Sequence, residues 1–431
     1  MCTYIMEHFV IVGKNPLSGR VSISGAKNAA LAIIPAALAA DGICTLENLP
    51  AIEDVRNFVQ VLRKIGAKCK FLDETTLQID STAIKTTTAS SELLKDMRAS
   101  YYLLGAFLGR MGRAEVTLPG GCNFGGRPID LHIKGFEALG AKVIIEHGMV
   151  RVSADKLTGA NIYLDVASVG ATINIMMAAV YAEGTTVIEN AAKEPHVVDC
   201  ANFLNMCGAA VKGAGTDVIR IVGVDKLKGC SYTIIPDQIE AGTYMIASAI
   251  TGGDVTVCNI IPKHMDSLTA KLVEMGCQIK EGDDWIRVSA ENELEAVNVK
   301  TLYYPGFPTD LQPQITALLA RAKGTSFVTD TIFNRFQYVD QLTRLGVKIK
   351  IDGRMAVVEG PARLTGANVE ATDLRAGAAL VIAALASTGI TRISNVYYID
   401  RGYENLESKL SSLGANIRRT STDEIPIAVK A

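Results

Sequence analysis

FEALGAKVII, residues 136–145, is an amphipathic stretch that runs into Leu-Gly-Ala and then into alternating apolar residues. A helix that stops at Gly140 and a strand that follows accounts for it, because glycine takes the left-handed backbone that closes helices and the alternation is that of a half-buried strand. The same step recurs as VLRKIGAKCKF (61–71), FLNMCGAAV (203–211), LVEMGCQIK (272–280), LTRLGVKIKI (342–351) and LSSLGANIR (410–418). The glycines are Gly66, Gly140, Gly208, Gly276, Gly346 and Gly414, at intervals of 74, 68, 68, 70 and 68 residues. Self-similarity at such a period marks a repeat architecture.

Between these marks lies a second unit, a small-residue-rich helix, a short turn and a strand. SGAKNAALAIIPAALAADGICTLENL (24–49), SVGATINIMMAAVYAEGTTVIENA (168–191) and TDLRAGAALVIAALASTGITRISNV (372–396) are examples. Helices this apolar on every face belong inside, and their alanines permit close packing. The chain therefore reads as six copies of one α/β unit of about 70 residues. Three copies per domain predict two pseudo-symmetric α/β domains with helices inside and strands outside. The first is expected over 23–234 and the second over 1–22 with 235–431, closed by the N-terminal strand.

Composition narrows the function. At 431 residues the chain is too long for one ordinary core, and with 48% hydrophobic residues it can bury two. Lys and Arg total 43 against 45 acidic residues, a net charge of −2, so no basic field is present to hold nucleic acid. The first residues lack the pattern of a secretory signal, and the longest apolar run, AALAIIPAALAA, is 12 residues and contains Pro35. That is too short to cross a bilayer. The nine cysteines show no CxxC pair and no metal-ligand spacing, so reduced thiols in a cytoplasm are expected, most of them, such as Cys44 and Cys258, serving as small core hydrophobes.

Polar residues stand where each inner helix begins: Lys27, Arg98, Ser168, Asp310, and Asp373 with Arg375. Helix N-termini carry unpaired N–H groups and a partial positive charge, so together they suit an anion. Asp310 and Asp373 are equally good as helix-starting residues. Lys27 and Arg98 oppose the dipole, which suggests a negative ligand from outside. PGGCNFGGRP (119–128) is Gly-rich without being a Walker or dinucleotide motif, and it carries Cys122 beside Arg127, which would favour the thiolate. Arg401, next to Asp400, reads equally as a surface ion pair.

Taken in order, SGAKNAAL, MRAS, PGGCNFGGRPIDLH, SVGAT, FPTDLQ, ATDLRA and IDRGYE resemble the enolpyruvyl transferase family, in its UDP-N-acetylglucosamine 1-carboxyvinyltransferase branch, along essentially the whole chain. The resemblance implies an inside-out α/β barrel fold. It also implies transfer of the enolpyruvyl group of phosphoenolpyruvate to the 3-hydroxyl of UDP-N-acetylglucosamine with release of phosphate, the first committed step of peptidoglycan synthesis and so of cell-wall growth, cell shape and division. By the same resemblance Lys27, Arg127 and Arg401 hold the donor's phosphate and carboxylate. Asn28, Arg98, Arg127, Pro128, Ile129, Asp130, Leu131, Val166, Ala167, Ser168, Val169, Asp310 and Ile332 meet the nucleotide sugar, with Lys27 beside them. Asp310 is the implied base and Cys122 the implied acid, loop thiol and fosfomycin target, while Asp373 and Arg375 line the reaction centre. No metal or organic cofactor is called for.

Several positions depart from the family pattern. Val166 stands where some members have lysine, Gln238 replaces a usual arginine, and Tyr398 a usual histidine. TDTIFNRFQYV (329–339) is one residue short between Thr331 and Arg335, which puts the register around Ile332 in question. A 3-phosphoshikimate acceptor and a non-catalytic nucleotide-sugar-sensing role remain the competing readings.

Overall fold

The computed structural model describes residues 7–90, 97–118 and 129–421. The Gly-rich stretch, and with it Cys122, Arg127 and Pro128, lies outside them. The chain divides into two compact units, one of residues 1–23 with 237–431 and one of residues 24–236. Each has its own apolar core.

There are six four-stranded sheets among the described residues, three to a unit, and all share one pattern. In each, the strand after an inner helix pairs in parallel with a strand that precedes an inner helix and antiparallel with another, which in turn pairs antiparallel with the fourth. In four sheets the parallel partner precedes the same helix, and in the other two the partners are exchanged, Ser231–Thr233 pairing with Ile43–Glu47 and Ser18–Ser22 with Asp254–Cys258. In one sheet Val299–Lys300 runs parallel to Gly324–Thr329, which pairs antiparallel with Met355–Gly360 and that with Lys348–Asp352. In another, His8–Val12 fills the third place, antiparallel to Ile390–Ser394 and Asn416–Thr420.

The inner helices are Lys27–Ala36, Tyr102–Met111 and Val169–Ala179 in the 24–236 unit, and Gln238–Thr251, Gln312–Leu319 and Leu374–Ala386 in the other. They are buried on almost all sides, as helices apolar all round must be, and pack on one another inside the sheets. Each unit is an inside-out α/β barrel of three repeats. The approach is close: a Cβ added to Gly105 would lie 2.2 Å from the carbonyl oxygen of Asn174.

The repeat glycines have a common backbone reason. Gly66, Gly140, Gly208, Gly276, Gly346 and Gly414 have φ of 103°, 91°, 105°, 97°, 93° and 95°, each just past an outer helix. A side chain is strained there, so glycine recurs. A second mark recurs: Asn48, Asn190, Asn259 and Asn395 follow the strands that come after inner helices, at φ of 55–59°. Asn48, Asn190 and Asn259 donate their side-chain amides to the carbonyls of Ile234, Leu164 and Ile23 at 2.6–2.8 Å. Asparagine tolerates the left-handed region and its amide ties the end of the neighbouring parallel strand.

Candidate active-site residues

In the unit of residues 1–23 and 237–431, sequence-distant charges converge on Asp310. Thr309–Leu311 forms a single tight turn that leads into the helix Gln312–Leu319, so Asp310 sits at an inner-helix entrance. Arg335 Nη1 lies 3.0 Å from Asp310 Oδ1, and Arg375 Nη2 lies 3.0 Å from Oδ2. The arginine side chains are 6% and 3% exposed, and Asp310 is 24% exposed. Burial alone would push the Asp310 carboxyl up, but the positive charges and hydrogen bonds of Arg375 and Arg335 outweigh it and hold it far below the ordinary carboxylate value. Asp310 is therefore ionised, open to solvent along one edge, and weakly basic while both arginines grip it.

Asp373 is the N-cap of the helix Leu374–Ala386. Its Oδ1 accepts from the backbone N–H groups of Arg375 and Ala376 at 2.8 and 3.1 Å. That fixes the first turn and aims Arg375. The other oxygen, Oδ2, is buried without a hydrogen-bond partner among the described residues. Tyr403, from the RGYE motif, was not singled out by sequence. It is buried where the first turns of the three inner helices of this unit meet: its hydroxyl is 3.1 Å from Thr243 Oγ1 and from Gln314 Nε2, and the Arg375 guanidinium lies 5.5 Å from its ring centre. Asp237 was missed too; it caps the remaining inner helix, accepting from Ile239 and Glu240 N–H.

The segment 331–335 is built around another residue that sequence alone did not single out. Asp330 is fully buried, and its Oδ1 accepts from the Thr301 hydroxyl at 2.8 Å and from the N–H groups of Ile332 and Phe333 at 3.1 and 3.3 Å. Oδ2 accepts from Arg335 N–H at 2.9 Å. One carboxylate thus folds 331–335 back on itself, places half-buried Ile332, and starts Arg335 toward Asp310. Arg401 follows the short helix Tyr397–Asp400 and is half-buried. Asp400 gives its two oxygens to Arg419 at 2.7 and 2.9 Å. Tyr398 stacks on Tyr397, with ring centres 4.2 Å apart. Gln238 opens its helix.

In the 24–236 unit Lys27 starts the helix Lys27–Ala36, with Asn28 half-buried next to it. The Lys27 charge has a partner within the chain: Asp54, in the outer helix Glu53–Lys64, meets its ammonium at 2.7 Å with side chains 9% and 5% exposed. An internal carboxylate offsets the charge that opposes the helix dipole, which sequence could not show because the two residues lie on different helices. Arg98 begins a tight turn, Arg98–Tyr101, that leads into Tyr102–Met111, and is half-buried. Ser168 is the N-cap of Val169–Ala179 and accepts from Ala171 N–H at 3.3 Å. Val166 is 47% exposed, with Ala167 and Val169 partly buried beside it. Asp130, exposed, begins the helix Asp130–Ala138 after buried Ile129, with Leu131 half-buried.

Asn174, in the helix Val169–Ala179, ties Tyr102–Met111 and Asp130–Ala138 to its own helix. It accepts from Gly105 N–H at 2.7 Å, donates to the Tyr101 carbonyl at 2.8 Å and lies 2.9 Å from His132 Nδ1. Burial pushes His132 down to about 4, so its ring is neutral near pH 7. The Asn174–His132 knot here corresponds to the Tyr403–Gln314–Thr243 knot of the other unit. Both lie at the N-terminal ends of inner helices, where polar groups satisfy backbone that the apolar core cannot. Among the described residues no helix is long and apolar enough to cross a membrane.

Comparison with known proteins adds to this geometry. The profile of the EPSP synthases, the 3-phosphoshikimate 1-carboxyvinyltransferases, matches residues 11–410. The chain is 58% identical over 416 residues to UDP-N-acetylglucosamine 1-carboxyvinyltransferase 2 of Clostridium acetobutylicum, covering 96% of this chain and 99% of that one. It is 57% identical over 415 residues to UDP-N-acetylglucosamine 1-carboxyvinyltransferase 3 of Caldanaerobacter subterraneus subsp. tengcongensis, with coverage of 96% and 99%. Among solved structures, the enolpyruvyl transferase NikO from Streptomyces tendae matches with a TM-score of 0.87 at 26% identity, over 96% of this chain and 99% of that one. EPSP synthase from Acinetobacter baumannii matches with a TM-score of 0.75 at 20% identity, over 96% and 100%, a likeness that speaks for the fold alone.

Proposed function

This chain belongs to the EPSP synthase family of enolpyruvyl transferases, and on that premise we propose that it moves the enolpyruvyl group of phosphoenolpyruvate to the 3-hydroxyl of UDP-N-acetylglucosamine, releasing phosphate for peptidoglycan synthesis. The observation that carries the acceptor is the 58% identity, along nearly the full length of both chains, to a relative named for that acceptor. The reaction is an addition followed by an elimination. The sugar oxygen bonds to C2 of the donor while a proton joins its methylene carbon; the tetrahedral ketal then loses phosphate from C2 and a proton from the new methyl group.

Asp310 is the residue we assign to the sugar hydroxyl. Its double pairing supports an ionised acceptor that orients the O–H, and taking the proton requires Arg335 or Arg375 to loosen its grip, since a carboxylate held this far down is a poor base. Arg375 and Asp373 Oδ2, which has no hydrogen-bond partner among the described residues, are assigned to the same reaction centre. Lys27, Arg127 and Arg401 are assigned to the donor's phosphate and carboxylate, where fixed cations stabilise charge that builds on the departing phosphate. If Lys27 serves there, it shares its charge between Asp54 and the ligand. Cys122 is assigned the proton to the methylene carbon, and fosfomycin alkylation falls to the same thiol. Asn28, Arg98, Arg127–Leu131, Val166–Val169, Asp310 and Ile332 are assigned to the nucleotide sugar, and the reaction to the cytoplasm.

The deciding experiment measures phosphate release from phosphoenolpyruvate with UDP-N-acetylglucosamine and, in parallel, with 3-phosphoshikimate. Release with the nucleotide sugar alone is expected. Release only with 3-phosphoshikimate overturns the acceptor, and none with either, from folded protein, brings the nucleotide-sugar-sensing reading forward.

A further inference from the structure

Cys44, Cys207 and Cys230 stand far apart in sequence and in no recognisable ligand spacing, yet the fold of the 24–236 unit brings their sulfurs within 4.8 Å of one another. Cys207 and Cys230 Sγ are 3.3 Å apart. We propose that these three thiols form a binding site for one thiophilic d10 cation, Zn2+ in the ordinary case, held as a trithiolate.

Each sulfur is placed by backbone rather than by chance contact. Cys44 lies in the strand Ile43–Glu47, and the neighbouring Thr45 N–H donates to the Cys230 carbonyl at 2.8 Å. Cys207 is the C-cap of the helix Pro195–Met206, and its own carbonyl accepts from Lys228 N–H at 2.8 Å. A strand, a helix end and the residue before the edge strand Ser231–Thr233 therefore converge with their positions already fixed, so little ordering remains when an ion enters. With Zn–S bonds of about 2.3 Å, sulfurs around one zinc sit roughly 3.8 Å apart. The observed spacing brackets that value, and rotation of one thiol opens the short pair.

The surroundings suit a cation whose ligands are anions. Cys44 and Cys207 are buried and Cys230 is half-exposed, which gives an ion a way in. Arg110, held by Asp41 at 3.0 Å, Ser81 Oγ at 2.9 Å and the Leu38 carbonyl at 2.9 Å, is near enough for its charge to favour the Cys44 thiolate. Its charge lowers the cost of gathering thiolates nearby. Among the described residues no carboxylate or imidazole joins the three sulfurs, so the fourth zinc position falls to water, or a softer ion is bound by three sulfurs alone. Because thiolate is the ligand, uptake releases protons and strengthens as pH rises.

The test uses the intact, reduced protein and CdCl2 as probe, followed by thiolate-to-cadmium charge-transfer absorption and by thermal unfolding. Expected is a band that saturates at one equivalent, is lowered by a large excess of ZnCl2, and accompanies a rise in the unfolding midpoint, since an ion bound only by the native state stabilises it. The band should vanish in Cys44→Ser, Cys207→Ser and Cys230→Ser and persist in Cys122→Ser, Cys258→Ser and Cys277→Ser. Should Cys44→Ser fail to fold, Cys230→Ser at the half-exposed position carries the comparison. Full absorption in Cys207→Ser, or no uptake by reduced wild-type protein, overturns the site. So does a Cys207–Cys230 disulfide in protein purified without reductant, if reduction of that bond restores thiols but no metal uptake.

Discussion

Replacing Asp310 with alanine removes the shared counter-ion of Arg335 and Arg375, whose side chains are 6% and 3% exposed. Two buried guanidinium groups then face each other with no anion between them. Removing one partner of a buried pair typically costs about 3–5 kcal/mol, and for a domain of this size each kcal/mol moves the midpoint by about 2–4 °C. The expected drop is therefore about 6–20 °C, read by calorimetry at pH 7. Asp310→Asn keeps the shape and one acceptor oxygen, so it should fall between. The pH dependence has a definite sign. A carboxyl depressed in the folded state contributes stability that is complete above its unfolded value of about 3.9 and is lost as pH falls through the folded value. The difference between wild type and Asp310→Asn should thus hold from pH 8 to about pH 5 and shrink only below about pH 4. Assayed well below its own midpoint, Asp310→Ala should also bind UDP-N-acetylglucosamine and lose most turnover. A midpoint within about 2 °C of wild type would refute the charge argument, and an unchanged rate would remove Asp310 from the chemistry.

Three further predictions rest on other parts of the fold. Asp330→Ala strips the buried acceptor from the Ile332, Phe333 and Arg335 N–H groups and should cost about 3 kcal/mol or more; where the protein still folds, KM for the nucleotide sugar should rise more than kcat falls, and equal changes would speak against a positioning role. His132, pushed down to about 4 by burial, should show no imidazole titration by NMR between pH 5 and 8, whereas a midpoint near the ordinary value of about 6.5 would mean the ring is solvated. Gly208→Ala isolates backbone strain, because the added Cβ meets nothing within 4 Å while φ is 105°; denaturant unfolding should record a loss of about 1–2 kcal/mol, and no loss would show that the turn relaxes freely.

The sequence was most legible where the demand is local. A glycine past an outer helix answers to its own φ, and an alanine-rich helix buried on every side shows that in its own residues, so six α/β repeats could be counted without coordinates. Asp310, Asp373 and Arg375 were legible as polar residues at helix entrances for the same reason, although their division of labour was not. Asp373 caps its helix through one oxygen, a pattern that local sequence allowed, whereas the grip of Arg335 on Asp310 joins a loop to a helix entrance. Tyr403, Asp330 and His132 went unnoticed because an isolated tyrosine, aspartate or histidine carries no period and no spacing; each matters through partners on other elements.

By itself, then, the sequence determined the repeat, the inside-out arrangement and the family, because these depend on periodicity, on glycine φ and on motifs whose residues are neighbours along the chain. Tertiary structure alone decided which charges meet. It gave Lys27 an internal carboxylate at Asp54, closed two arginines on one aspartate, and gathered Cys44, Cys207 and Cys230 from three separate elements into one cluster. Coulombic pairing and ligand geometry depend on separations of a few ångströms in space, and chain order fixes those only after the sheets and helices have packed.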